Sequence, residues 1–107
     1  MNDLKDRVVM ITGASSGFGR EAARMLVSHG AKVILGARRE EKLKELCAEL
    51  GSDASTYMVT DVTSKEQMHA LAQHGIKTFG RIDSLVNNAG IMPLSLIKKG
   101  RTDEWDQ

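Results

Sequence analysis

The chain has 107 residues, 41% of them hydrophobic and 27% charged, and a formal net charge of +1. That balance is ordinary for one globular domain, neither disordered nor membrane-spanning as a whole, and it provides no global field to draw in nucleic acid or a membrane surface, so any anion must be held by local geometry. Its single cysteine cannot form an internal disulfide, and His29, His69 and His74 lack the spacing of metal ligands, so one soluble domain over residues 1–107 with no metal is expected.

The opening residues MNDLKDR mix charges without the apolar segment of a signal peptide. No apolar run approaches a membrane span, and a cytoplasmic location with no membrane partner is expected. The first element is Val8-Val9-Met10-Ile11, an apolar run without polar alternation, as suits a strand covered on both faces of a parallel sheet. Thr12-Gly13-Ala14-Ser15-Ser16-Gly17-Phe18-Gly19 then packs three glycines into eight residues. A helix follows from about Phe18 to Ser28, with Ala22, Ala23, Leu26 and Val27 inward and Gly30 as a left-handed stop.

The second strand centres on Val33 to Leu35 and is followed by Gly36-Ala37-Arg38-Arg39. The next helix covers about Glu40 to Leu50, with Leu43, Leu46, Cys47 and Leu50 on one face and Gly51 closing it; Cys47 is expected as a core thiol. A third strand, Tyr57 to Val59, leads to Asp61-Val62. Ser64-Lys65-Glu66-Gln67 then reads as a capping box whose ends satisfy each other's amides. Its helix turns Met68, Leu71, Ala72, Ile76 and Phe79 inward and stops at Gly80. The fourth strand, around Leu85-Val86, runs into Asn87-Asn88-Ala89-Gly90, and Pro93 marks a loop. Thr102 with Asp103, Glu104 and Asp106 has the composition of a helix start with no room left to bury a stripe, so a fragment or an early truncation is expected.

This alternation predicts an α/β fold, a doubly wound parallel sheet of four strands in the order 3-2-1-4. The first two helices lie on one face and the third on the other.

A glycine-rich turn that leaves a strand and enters a helix aims free amides at whatever lies above the helix start, a site that favours phosphate. Gly13 permits the tight turn, Gly17 the close approach of a pyrophosphate and Gly19 the packing of helix on strand, while Ser15 and Ser16 add hydroxyls. The spacing differs from that of nucleoside triphosphatases and no lysine follows Gly19, which disfavours ATP hydrolysis. After strand two, a unit that selects NAD carries an acid for the ribose 2′-hydroxyl. Here Ala37 is followed by Arg38 and Arg39, whose forked donors suit a 2′-phosphate, so NADP is expected rather than NAD.

Together, TGASSGFG, the arginine pair, Asp61-Val62 and the Asn-Asn-Ala-Gly turn resemble the short-chain dehydrogenase/reductase family, with its Rossmann-type fold, over essentially the whole chain. The resemblance implies that Gly13, Ser15, Ser16, Gly17, Phe18 and Gly19 hold the pyrophosphate and ribose. It gives the 2′-phosphate to Arg38, with Arg39 beside it. It has Asp61 bond the adenine amino group while the Val62 amide faces a ring nitrogen, and lays Asn88, Ala89 and Gly90 along the ribose near the nicotinamide. Asn87 would tie the central strands together.

The implied activity is NADP-dependent hydride transfer to or from a carbonyl or alcohol, in an enzyme that is a homo-oligomer when full length. The family's catalytic serine, tyrosine and lysine lie downstream of the matched segment. Tyr57 is followed four residues later by Asp61 rather than lysine, so no residue here is assigned to acid–base catalysis and the 107-residue chain alone is expected to be inactive. The competing reading is a non-catalytic module that binds a nucleotide or pairs through an open sheet edge with another subunit.

Overall fold

The computed structural model describes residues 4–87. Over them, strands and helices alternate as β1 (Val8–Thr12), α1 (Gly17–Ser28), β2 (Lys32–Ala37), α2 (Glu40–Leu50), β3 (Ser55–Val59), α3 (Lys65–Phe79) and β4 (Ser84–Asn87). The expectations for Asn88 to Gly90, Pro93 and the terminal helix start lie outside the described residues.

All pairings are parallel, and the strand order is β3-β2-β1-β4. Val9 on β1 faces Val33 on β2, and Met10 faces Leu85 on β4. Every residue of β1 is buried, as its unbroken apolar run requires, and alternate residues serve opposite faces of the sheet. Val9, Ile11, Val33 and Leu35 meet Ala23 of α1 and Leu43 and Leu46 of α2 in one core layer. Val8, Met10 and Ile34 meet Met68, Leu71 and Ala72 of α3 in the other. A fully buried side chain such as Ile34 contributes about 1.5–3 kcal/mol relative to leaving it exposed.

On the α3 side, two glycines let the layers close. A Cβ on Gly75 would lie 2.1 Å from Ile34 Cδ1, and one on Gly36 would lie 2.3 Å from Leu71 Cδ2. Helix and sheet pack there with no room for a methyl group.

The helix ends follow the signals read from the chain. The Gly30 amide donates to Val27 O at 3.0 Å and the Ala31 amide to Leu26 O at 3.0 Å, the reciprocal pair of a Schellman stop, with Gly30 at φ 97°. Gly80, in the left-handed region, closes α3 in its turn.

The capping box needs one correction. The Ser64 hydroxyl accepts from the Gln67 amide at 3.2 Å as expected, but Gln67 Oε1 takes the Asp61 amide at 2.7 Å instead of that of Ser64. The Ser64 amide donates to Asp61 O, so it already has an acceptor and leaves the glutamine free to reach further back. Cys47 also departs from expectation: it is half-buried, packing against the first core layer from its margin, and burial pushes its thiol up from the ordinary value against a hydrogen bond with Ser55.

Candidate cofactor-binding site

The carboxyl ends of β1, β2 and β3 open onto a cleft of about 260 Å³ lined by Gly13, Ser15, Ala37, Arg38, Arg39, Thr60 and Val62. Three loops separated in sequence are thereby brought together at one edge of the sheet, where open α/β sheets bind their ligands.

Each glycine of the first loop has a distinct physical task. Gly13 sits at φ 66°, a conformation that a side chain rarely adopts. A Cβ on Gly19 would lie 2.6 Å from Gly13 O and 2.9 Å from Ala14 Cα, so this position must be bare for α1 to sit on its own loop. A Cβ on Gly17 would meet nothing within 4 Å. The protein's own packing does not require that glycine to be bare, and the space above it is open.

Ser16 caps α1, its hydroxyl accepting from the Gly19 amide at 3.2 Å and donating to Gly13 O at 2.9 Å. Its side chain thus holds the loop's shape, and Ser15 is the serine that lines the cleft. The Gly17 and Phe18 amides, at the first turn of α1, have no acceptor among the described residues. Phe18 carries its ring outward, 66% exposed. These features fit a pyrophosphate, with a bare approach, free donors at a helix start and a neighbouring hydroxyl.

Arg38 and Arg39 leave β2 at the rim. Arg38 Nη2 lies 3.1 Å from Asp61 Oδ1, an ion pair that links the loop after β2 to the loop after β3. The same Asp61 oxygen accepts from the Thr63 hydroxyl at 2.7 Å and the Thr63 amide at 2.9 Å. These bonds, the Thr63 hydroxyl's first, and then Arg38 hold the Asp61 carboxyl down at about 2. Thr63 was not singled out from the sequence, although Asp-Val-Thr is the pattern of an Asx turn, in which an aspartate side chain takes the amide two residues on.

Below the cleft, Asn87 at the end of β4 accepts from buried Thr12 at 2.9 Å. Asn88, Ala89 and Gly90 fall outside the described residues. Tyr57 lies on β3, where its hydroxyl donates to Glu40 Oε2 at 3.0 Å. Burial and that bond push the phenol up, the reverse of what a tyrosine acting as a proton donor near neutrality requires.

Two larger hollows, about 440 and 650 Å³, flank β3 on its outer side and share His74, whose Nε2 lies 2.8 Å from Thr56 Oγ1. Lys77 borders the larger of them, but neither combines a glycine-rich turn with a pair of arginines as the smaller cleft does. Among the described residues no group of three or more His, Cys, Asp or Glu is placed to hold a metal ion. No helix among them is long and apolar enough to cross a membrane.

Residues 7–107 match the family model for the short chain dehydrogenase. The chain belongs to that family. An uncharacterized oxidoreductase of Staphylococcus saprophyticus is 48% identical over 107 residues, which are all of this chain and 44% of the relative. One of Listeria monocytogenes is 41% identical over 106 residues, 97% of this chain and 43% of the relative. The chain therefore spans less than half the length of these relatives and corresponds to the amino-terminal, cofactor-binding portion of short-chain dehydrogenases.

The fold is that of solved family members. The 3-ketoacyl-(acyl-carrier-protein) reductase from Brucella melitensis, complexed with NADH, superposes with TM-score 0.78 at 36% identity, over 83% of this chain and 36% of its own. A metagenomic short-chain oxidoreductase in complex with NADP gives TM-score 0.73 at 38% identity, over 82% and 41% respectively. A nicotinamide dinucleotide is the family's cofactor, and the two complexes show that both forms occur among proteins similar to this short-chain dehydrogenase chain.

Proposed function

We propose that this chain is the NADP-holding half of an oxidoreductase that acts on a carbonyl or alcohol. The observation that carries the cofactor choice is the end of β2, where two arginines follow Ala37 into the cleft and no acid stands where a 2′-hydroxyl would be read. The bound nicotinamide would supply or accept the hydride.

The chain's own residues do the holding. The Gly17 and Phe18 amides and Ser15 face the pyrophosphate, and the arginine pair faces the 2′-phosphate. Asp61 and Val62 border the adenine, with Asn88, Ala89 and Gly90 toward the nicotinamide ribose. The complete enzyme acts in the cytoplasm as a homo-oligomer, and residues beyond this segment supply its proton chemistry.

Calorimetric titration of the 107-residue chain tests the cofactor reading. NADP is expected to bind at least about tenfold more tightly than NAD, a difference near 1.4 kcal/mol, and equal affinities would remove the 2′-phosphate from the site. The chain alone is expected to oxidise NADPH no faster than a protein-free blank in the presence of generic aldehydes and ketones. Turnover above that blank would place a catalytic group within these residues.

A second reading has one observation in its favour. Among the described residues β4 pairs with β1 alone, and its outer edge can take another strand. Sedimentation at rising concentration separates the two, since a pairing module self-associates without nucleotide.

A further inference from the structure

In the order β3-β2-β1-β4, β3 is the outermost strand on its side of the sheet. The Val33 amide donates to Ala54 O and the Thr60 amide to Ala37 O, each at 2.8 Å. Bonds between parallel strands use alternate residues. Ala54, Thr56, Met58 and Thr60 therefore aim their main-chain groups at β2, and Ser55, Tyr57 and Val59 aim theirs outward. Nothing in the strand guards that edge: it holds no lysine, proline or bulge, and Val59 is 45% exposed.

An antiparallel copy of β3 matches all three outward residues in one register. With a two-fold axis at Tyr57, Ser55 stands opposite the partner's Val59 and Tyr57 opposite the partner's Tyr57, each as a hydrogen-bonded pair. Val59 of each copy then lies beside Ser55 of the other, where Cys47, Ala48, Gly51 and Ser52 border the hollow of about 440 Å³. An apolar projection thereby meets a largely apolar recess on the same edge. The register also brings Asp53 opposite the partner's Asp61, whose charge Arg38 offsets at 3.1 Å.

The helix beside this edge carries charges of the same symmetry. Leu71 lies against Gly36, the register partner of Met58, and Gly75 against Ile34, the partner of Thr56. So α3 runs antiparallel to β3, with Gln73 near the level of Tyr57. Ala70, Gln73 and Lys77 border the hollow of about 650 Å³, and Glu66, four residues before Ala70, shares their exposed face. The two-fold axis sets Lys77 of one copy opposite position 69 of the other, one helical turn, about 5 Å, from Glu66 and within reach of two long side chains. Neither Glu66 nor Lys77 has an ion pair among the described residues.

We propose that the β3 edge is a homodimer interface, in which the β3 strands of two copies pair antiparallel about Tyr57 and join their sheets into one. The occupant is a second copy because the edge complements itself in shape, Val59 to hollow, and in charge, Lys77 to Glu66. The interface is separate from the cofactor cleft, which opens at the carboxyl ends of the strands, and from the outer edge of β4.

Sedimentation equilibrium of the 107-residue chain is expected to show dimers with a dissociation constant of about 1 mM or tighter. Val59→Lys puts a charge on the edge and should weaken the association by at least about fivefold. Glu66→Lys and Lys77→Glu should each weaken it by about threefold or more at low salt, by setting like charges across the axis. The double variant Glu66→Lys/Lys77→Glu faces opposite charges again and should return within about twofold of the unmodified chain. Within one helix the two positions lie about three turns apart, so only contact between copies gives that rescue.

A chain that stays monomeric at about 1 mM would overturn the second copy as occupant and leave the edge to some other extended segment. A loss in Val59→Lys smaller than that expected would overturn the assignment to β3 and give the association to the β4 edge. Single reversals without effect, or without rescue in the double variant, would overturn the two-fold register. Val59, Glu66 and Lys77 are all exposed, and far-ultraviolet circular dichroism of each variant checks that the fold is kept.

Discussion

Thr12 Oγ1 donates to Asn87 Oδ1 at 2.9 Å, and the two residues are also register partners where β1 meets β4. Thr12 is wholly buried, and the next residue is the positive-φ glycine that begins the cofactor loop. The bond therefore pins the last shared rung of β1 and β4 directly beneath the site.

Thr12→Val keeps the volume and removes the donor. It is expected to lower stability by about 1–2 kcal/mol, whereas Thr12→Ser, which keeps the hydroxyl, costs less. Urea unfolding of the three chains decides. A valine variant with the unmodified chain's midpoint would mean that the bond contributes nothing net.

Gly17 and Gly19 lie two residues apart in the same turn and should fail in opposite ways. Gly19→Ala puts a methyl group into Gly13 O and Ala14 Cα, backbone atoms with nowhere to go, so a loss of about 1–3 kcal/mol is expected. Gly17→Ala meets no protein atom within 4 Å, and in a helix's first turn alanine costs nothing, so the unfolding midpoint should hold or rise slightly. Its nucleotide affinity should nevertheless fall for NADP and NAD alike. If Gly17→Ala bound both as tightly as the unmodified chain, the open space above Gly17 would not be where the pyrophosphate lies.

These contrasts show what was legible in the sequence. The order of elements and the sheet topology could be read because unbroken apolar runs such as Val8 to Ile11 and stops such as Gly30 and Gly80 are local signals that tertiary contacts reinforce. The cleft's main residues could be read because turns at the carboxyl ends of parallel strands meet in space whatever their separation in the chain. Side-chain partnerships were not legible in the same way. That Arg38 pairs with Asp61 depends on the distance between two loops, and that Gln67 reaches back to Asp61 or that Ser16 caps α1 while Ser15 lines the cleft depends on the exact path of one turn, neither of which spacing encodes. Cys47 was placed one step too deep because a helical stripe gives direction but not depth, and this one lies at the margin beside β3.

The clamp on Asp61 makes a titration prediction. Its carboxyl is held at about 2, chiefly by Thr63. Because the folded value lies below the ordinary one of 3.8, the stabilisation is present in full above about pH 4 and is lost as pH falls toward 2. Thr63→Val removes the hydroxyl bond and keeps the amide, so the carboxyl should titrate at a higher pH in the variant. Carbon-detected NMR of the side-chain carboxyl measures both. An Asp61 that titrates identically in the two chains would show that the Thr63 hydroxyl does not hold it.

The tight contact between α3 and β2 offers a double-substitution test of the fold. A Cβ on Gly75 would lie 2.1 Å from Ile34 Cδ1, 2.7 Å from Cγ1 and 3.0 Å from Cγ2, and Ile34 is fully buried and has little freedom to turn aside. Alanine gains up to about 1 kcal/mol over glycine in a helix interior, but overpacking of this kind costs about 1–3 kcal/mol, so Gly75→Ala should destabilise on balance. Ile34→Val removes Cδ1, the atom in closest conflict, at a cost of about 0.5–1.5 kcal/mol alone. Made together, the two changes should cost less than the sum of their separate effects by at least about 0.5 kcal/mol, because each relieves the other. Denaturant midpoints of the four chains give the coupling directly. Simple additivity would mean that α3 stands further from the sheet than the geometry shows.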